Sequence, residues 1–411
     1  MNRILEVNED SAYALVEPGV SYFQLYEHLR EKKSRLWIDC AAVGWGGVIG
    51  NALEHGAGYT PYADHFIMQC GMEVVLADGT VVLTGMGAMP KSTAWQLFKY
   101  GYGPHLDGMF TQSNFAVVTK MGVWLMPEPP AYKPFMITLP RDEDLAAAIE
   151  ILRPLKLAMI IPNGVVVANA LYEIAVHQTK AEVHPGAMRG PVPDDVVRKV
   201  AKERELGAWN AYGALYGIPI GVEKYWEIVK GSFSRIPGVK FYSKGDRAGD
   251  PGWEYREKLM RGVPNMTEFG IVNWQGGGHV NFTPVAPMTG DDAVKMQRMM
   301  RDIMHRHGFD YIAEFVATWR AMVNVLMLMF EQKDADARKR AHDCAKAIIT
   351  EAAKAGYGEL KANLEFMDLV ASTYGACDNG YWKVCQRLKD ELDPGGILSP
   401  GKSGIWPKKT V

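Results

Sequence analysis

No run of apolar residues in this 411-residue chain approaches the length of a membrane span, and the opening MNRILEVNED lacks the apolar core of a secretory signal. Cysteine is scarce. Cys40, Cys70, Cys344, Cys377 and Cys385 are odd in number and never spaced C-x-x-C, which argues against a disulfide framework and against a zinc site. They read as reduced thiols. Net charge is nearly absent: 45 basic and 47 acidic side chains give a formal −2, which leaves no basic footprint for nucleic acid or an anionic membrane. No internal repeat or low-complexity tract is visible. The expected compartment is the cytoplasm, or the periplasm for a chain whose leader has been lost.

What is present is an ordinary globular composition, 48% hydrophobic and 22% charged, in a chain long enough for two domains. The chain is organised around residues 44 to 65, GWGGVIGNALEHGAGYTPYADH. Gly44, Gly46 and Gly47 precede the helix-like run Val48 to Glu54, and Gly56 and Gly58 follow it. Glycine at both ends lets the backbone turn tightly and lie against a ligand, and a glycine-rich helix entry suits phosphates or carbonyl oxygens. A mobile surface turn is the competing reading, and the length of the motif weighs against it.

In chain order, residues 4 to 8 and 12 to 17 read as a strand pair, and Tyr22 to Lys32 as a helix with Phe23, Tyr26 and Leu29 on one face. Glu73 to Leu83 reads as a hairpin whose Asp78-Gly79 signals a type I′ turn. FTQSNFAVVTKMGVWLM should be extended within the same sheet, and Pro127, Pro129 and Pro130 mark a boundary. Beyond it, strand-like runs at Phe135 to Leu139, Trp209 to Tyr216, His279 to Thr283, Tyr311 to Thr318 and Val323 to Phe330 are separated by helices near 142 to 153, 194 to 206, 222 to 234, 291 to 307 and 335 to 355. That pattern predicts an antiparallel sheet with helices packed on one side. Residues 178 to 193 read as a surface excursion, and Gly356 as the cap of the last long helix. His305 and His307, at i and i+2 on a helix, point apart and predict no metal site.

The glycine loop GNALEHGAGYTPYADH resembles the loop facing the isoalloxazine ring in the vanillyl-alcohol oxidase and p-cresol methylhydroxylase flavoproteins. The resemblance continues through MQCGMEVVLADG, GMFTQSN, TKMG.WLMP and LDPGGILSPGKSGI, covers nearly the whole chain, and is nearer the p-cresol methylhydroxylase branch. It implies an α+β fold: an FAD-binding domain of the vanillyl-alcohol oxidase type at 1–128, a substrate cap domain at 129–356 with an antiparallel sheet, and a return to the FAD domain at 357–411. It also implies that Met1 is an internal methionine and that the chain lacks the first βαβ portion with part of the pyrophosphate site. The expected flavin-binding set is Gly46, Gly50, Asn51, Gly58, Tyr59, Thr60, Val118 and Lys402, the last placing positive charge at the flavin's pyrimidine edge. Ala116 replaces a family glycine in the adenosine-contacting segment.

Two residues compete for a covalent flavin bond. His279, in GGGHVNFTP, aligns with the attaching histidine of the vanillyl-alcohol oxidase branch, and Tyr311, in DYIAEF, with the attaching tyrosine of the other. Imidazole is the better nucleophile near neutral pH, so His279 is favoured, and a half-buried strand tyrosine is an even alternative for Tyr311. Glu54 replaces an aspartate near the flavin's hydride-accepting nitrogen and is the expected proton carrier, against an exposed helix glutamate as the ordinary reading. Family enzymes hold the phenolate with Tyr-Arg where this chain has Leu360 and Lys361, so Lys361 keeps the charge without the planar fork. Arg320-Ala-Met-Val-Asn324 stands where the family has an acidic-Met-His-His motif.

The function implied by the resemblance is oxidation of a para-alkylphenol-like substrate, with hydride leaving the benzylic carbon for FAD and a quinone methide taking up water. Electrons then pass to oxygen or to a cytochrome c subunit, and the chain forms a homodimer. The alternative is an inactive or cofactor-poor paralogue that serves as a structural or partner-binding protein.

Overall fold

The computed structural model describes residues 1–186 and 189–408. It contains two compact units, Met1–Glu128 with Gly262–Pro264 and Ala362–Val411, and Pro129–Arg261 with Asn265–Lys361.

The first unit is built on the strands β1 (Ile4–Asn8), β2 (Tyr13–Val16), β3 (Leu36–Trp37), β4 (Gln69–Val75), β5 (Val81–Leu83), β6 (Val117–Trp124) and β7 (Met126–Pro127). Five of them form an antiparallel sheet in the order β1-β2-β6-β4-β5, and β3 pairs with β7. The fully buried Val16, Met72, Val74 and Met121 come from three neighbouring strands, which is why β6, the expected extended stretch, lies centrally. Ser21 caps the helix Tyr22–Glu31 reciprocally with Gln24. That helix buries Leu29 as expected, but its other buried residues are Tyr22 and Leu25, while the expected Phe23 and Tyr26 are only partly buried. The hairpin forms, with Glu73 opposite Leu83, but not through a type I′ turn. Gly79 has φ +88° while Asp78 is absent from the positive-φ residues, and Gly79 N donates to Leu76 O at 3.0 Å, so the connection is one residue longer and Gly79 alone supplies the left-handed step.

The second unit holds β8 (Ala131–Leu139), β9 (Val165–Asn169), β10 (Trp209–Gly217), β11 (Lys240–Ser243), β12 (Gly277–Phe282), β13 (Pro284–Pro287), β14 (Ala313–Ala317), β15 (Ala321–Glu331) and β16 (Gly358–Glu359). They make one antiparallel sheet in the order β11-β8-β10-β9-β14-β15-β13-β16, with β12 paired to β15 beside β13. Helices Asp144–Leu157, Pro219–Phe233, Gly290–Arg306 and Ala335–Lys354 pack on it. Gly356, with φ +86°, ends the last of these, and Tyr357 N donates back to Ala352 O at 2.9 Å. The excursion 178–193, of which 187 and 188 lie outside the described residues, is anchored more firmly than its composition suggests. Buried Lys180 pairs with buried Asp310 at 2.7 Å, and Asp310 also accepts from Val192 N and Trp274 Nε1.

Candidate active site

In the first unit the glycine loop is pinned from below by a buried polar network. Asp39 Oδ1 lies 2.6 Å from His65 Nε2, and Asp39 Oδ2 accepts from Thr60 N at 2.7 Å and from the Thr60 hydroxyl. His65 Nδ1 meets Asn51 Oδ1 at 2.5 Å and the Tyr22 hydroxyl at 3.0 Å. Asn51 on the short helix Val48–Leu53 and Thr60 in the following loop are therefore held by one Asp-His pair. The glycines are where this network needs them: a Cβ on Gly56 would fall 1.6 Å from Asn51 Oδ1, and one on Gly58 1.4 Å from Asp39 Oδ1. Gly50 is different. A Cβ there meets nothing within 4 Å, so the helix presents bare backbone to open space on that side.

Three other motif segments converge within the same unit. Lys402 Nζ lies 2.5 Å from Glu54 Oε1, joining residues far apart in sequence, and both side chains remain partly exposed. Asn114 Nδ2 donates to Ser399 O and Ile405 O at 3.0 and 2.9 Å, while its buried Oδ1 has no partner among the described residues. Fully buried Lys389 bonds Asn114 O, Leu398 O and Asp393. Gly46 N donates to Val43 O at 2.8 Å and Gly58 N to Ala63 O at 2.9 Å, Tyr59 is buried, and Val118 sits in β6 opposite Val74.

The second unit sorts its residues by sheet face. His279 lies opposite Met329, and Glu314 opposite Val325; residues 325 and 329 share one face of β15, so His279 and Glu314 do too. His279 and Asn281 are exposed on that face, and the His279 ring meets Phe269 edge-on at 6.5 Å between centroids. Tyr311 goes elsewhere. Its ring is buried, its hydroxyl has no geometrically acceptable partner among the described residues, and burial pushes the phenol well above its ordinary pKa with nearby Asn324 opposing.

Two buried acidic centres went unpredicted. The first surrounds fully buried Arg256, whose Nη2 donates to Glu173 Oε1 at 2.7 Å and to Glu314 Oε2 at 3.3 Å, with the Tyr212 ring 4.5 Å from the guanidinium carbon. Burial, then neighbouring Glu268, pushes Glu314 up to about 8, and burial also raises Glu173. A glutamate in the otherwise apolar strand AEFVA was the available signal. The second is Glu359 in β16, which accepts from Thr283 N at 2.6 Å and Thr283 Oγ1 at 2.8 Å where β12 gives way to β13. Burial pushes it up to about 7 against those hydrogen bonds and the Lys361 charge. Half-buried Leu360 follows, its N donating to Thr283 O at 3.1 Å, and then Lys361.

An FAD-binding-domain profile matches residues 1–85, and a profile for the C-terminal domain of FAD-linked oxidases matches residues 224–403. The 4-cresol dehydrogenase [hydroxylating] flavoprotein subunit of Pseudomonas putida is 41% identical over 408 residues, spanning 98% of this chain and 77% of its own. The crystal structure of p-cresol methylhydroxylase with substrate bound superposes with a TM-score of 0.96 at 40% identity, covering 99% of this chain and 78% of that one. The 4-ethylphenol oxidase from Gulosibacter chungangensis, solved with isoeugenol, gives 0.96 and 40% over 99% and 79%. The residues present fit a flavin: bare backbone at Gly50, an unspent buried acceptor at Asn114 and a lysine at 402 are what a flat ring system with polar edges requires. No group of three or more His, Cys, Asp or Glu is placed to hold a metal among the described residues, and no helix there is long and apolar enough to cross a membrane. The chain belongs to the vanillyl-alcohol oxidase and p-cresol methylhydroxylase family of flavoproteins and is an FAD-dependent oxidoreductase.

Proposed function

We propose that the protein oxidises a para-alkylphenol at its benzylic carbon. The observation that carries this reading is 41% identity across 98% of the chain to a flavoprotein named for 4-cresol. FAD, when bound, supplies a two-electron oxidant that takes hydride from that carbon. The chain's own residues do the rest. Lys361 provides the positive charge that favours the phenolate, whose electrons drive hydride out and leave a quinone methide. Water then adds to the benzylic carbon, and its proton passes to a carboxylate, for which Glu54 is the candidate. Lys402 favours negative charge gathered beside it as the flavin is reduced. Glu314 shares its sheet face with His279 and has a carboxyl pushed up to about 8, which suits it to hold a proton near neutral pH.

For covalent attachment we favour His279, because its ring is exposed on a strand while the Tyr311 hydroxyl is enclosed. Gly46, Gly50, Asn51, Gly58, Tyr59, Thr60 and Val118 are assigned to the cofactor's cradle. Leu360 removes one hydrogen-bond donor from the phenolate end. The electron acceptor is a second, cytochrome c subunit, and the flavoprotein pairs with its own copy.

The test is direct. Purified protein should show flavin absorbance that stays with the acid-precipitated chain, and 4-ethylphenol should bleach it without oxygen. A protein saturated with FAD that no para-alkylphenol bleaches would refute the substrate class. Mass spectrometry of the His279 and Tyr311 peptides locates the bond, and oxygen uptake measured with and without cytochrome c identifies the acceptor.

A further inference from the structure

Oxidation of a phenol to its quinone methide sends a hydride to the flavin and leaves one proton, that of the phenol hydroxyl, to reach solvent. Addition of water then returns as many protons as it takes. The second unit offers a way out for the leftover proton on the sheet face that carries His279 and Glu314. Tyr212 is opposite Val166 in β9, and Val166 is opposite Val316, two residues from Glu314 in β14. Beside Tyr212 lies a cavity of about 450 Å³, with buried Glu173 and Tyr212 at its inner end and exposed Glu203, Glu205 and Asp246 at its outer end. It opens to solvent.

The inner end joins the Arg256 centre. Glu173 Oε1 and Glu314 Oε2 accept from the same nitrogen, Arg256 Nη2, and Glu173 Oε2 accepts from the Tyr212 hydroxyl at 2.9 Å. Arg256 Nε and Nη1 are buried with no hydrogen-bond partner among the described residues, and so is His177 Nε2 in the cavity wall. Buried polar atoms without protein partners are ordinarily satisfied by ordered water. Glycine keeps space for one: a Cβ on Gly252 would fall 4.0 Å from Glu173 Oε2, 3.5 Å from His177 Nε2 and 3.3 Å from Asp250 Oδ1. Three polar side chains thus face one point, although alanine would suit the start of the helix Pro251–Leu259 better. Burial raises Glu173 and lowers His177, so the acid can carry a proton while the imidazole stays neutral and able to accept it. The charges facing Glu173 are Arg256, Glu268 and Glu314, and those facing His177 are Arg204, Asp250 and Arg256.

We propose that this cavity is the proton exit of the enzyme: Glu173 gives the proton to water beside Gly252, that water gives one to His177 Nε2, and the imidazole hands one on to bulk water. The route rests on the para-alkylphenol reading, and Glu173 and His177 act through Glu314 rather than on the substrate. The test is an anaerobic stopped-flow mixing of FAD-loaded protein with 4-ethylphenol in weak buffer, in which flavin bleaching and the colour of a pH-indicator dye are followed together. In the parent, one proton per flavin should appear in step with bleaching. In His177→Ala bleaching should keep its rate, while the proton should appear at least about tenfold later, and steady-state kcat should fall alike with KM unchanged. Imidazole added to the buffer should restore both, because the cavity admits it. Gly252→Ala fills the water's place without removing a titratable group, so it should delay the proton in the same way and resist rescue by imidazole. The proposal is overturned by proton release in His177→Ala that keeps pace with bleaching, by a delay that imidazole leaves unchanged there, or by Gly252→Ala behaving as the parent. A parent that 4-ethylphenol does not bleach refutes the substrate class, and the route with it; that failure is distinct because bleaching is read before any proton is counted.

Discussion

Glu359 offers the sharpest physical test because its environment is closed and its role is separable from catalysis. The carboxyl is buried, accepts two hydrogen bonds from Thr283, and is pushed from 4.5 to about 7. A carboxyl raised in the folded state binds its proton more tightly there than in the unfolded chain. Its contribution is therefore most favourable below about pH 4.5 and is lost as pH rises through 7. Integrating the two titrations between about pH 5 and about pH 8.5 gives a loss of about 2.5 kcal/mol. Glu359→Gln keeps an acceptor oxygen for Thr283 N–H and Oγ–H but cannot ionise. Urea unfolding of both proteins across that range, followed by the buried tryptophans Trp209, Trp253 and Trp274, isolates the effect, because every other titration cancels in the difference. The variant should gain about 2.5 kcal/mol relative to the parent from the acid to the alkaline end. A difference that stays flat with pH would refute the buried, unionised carboxyl.

Other outcomes follow from the same physics. Arg256→Met should destabilise the second unit by about 3–5 kcal/mol, since buried Glu173 would lose its counter-ion and Glu314 a hydrogen-bond donor; denaturant melts measure it. Tyr311→Phe removes a buried hydroxyl with no partner among the described residues, so stability should hold or rise by about 1 kcal/mol, and flavin attachment, read by mass spectrometry, should persist. Lys402→Met should lower the flavin reduction potential and slow anaerobic bleaching by about tenfold or more, with folding retained because its partner Glu54 is partly exposed.

The architecture was legible where one physical signal decided it. Alternating strands and long amphipathic helices between 133 and 356 predicted an antiparallel sheet with packed helices, and five strands and five helices appear close to the expected positions. Short elements escaped. Val165–Asn169 is five residues with every position buried, so it has no alternation to betray a strand, and β16 is two residues whose place is set by pairing with β13. The helix at Tyr22 was found but its buried face only in part, since several apolar and aromatic residues at helical spacing offer two overlapping faces and tertiary packing chooses between them.

The site divides along the same line. Glycines at 56 and 58 announced a close approach, yet the atoms that approach them belong to Asn51 and Asp39, and Asp39 lies outside the motif. Glu314 and Glu359 stayed hidden for a deeper reason. A carboxylate in sequence is read as solvated until burial is known, and what makes these two chemically distinctive is the removal of water around them by Tyr212, Arg256 and the β12–β13 junction. Motif reading finds residues whose identity sets their chemistry, such as glycine at a tight turn. It passes over residues whose chemistry is conferred by their surroundings, and in this protein those include two acids able to hold a proton near neutral pH.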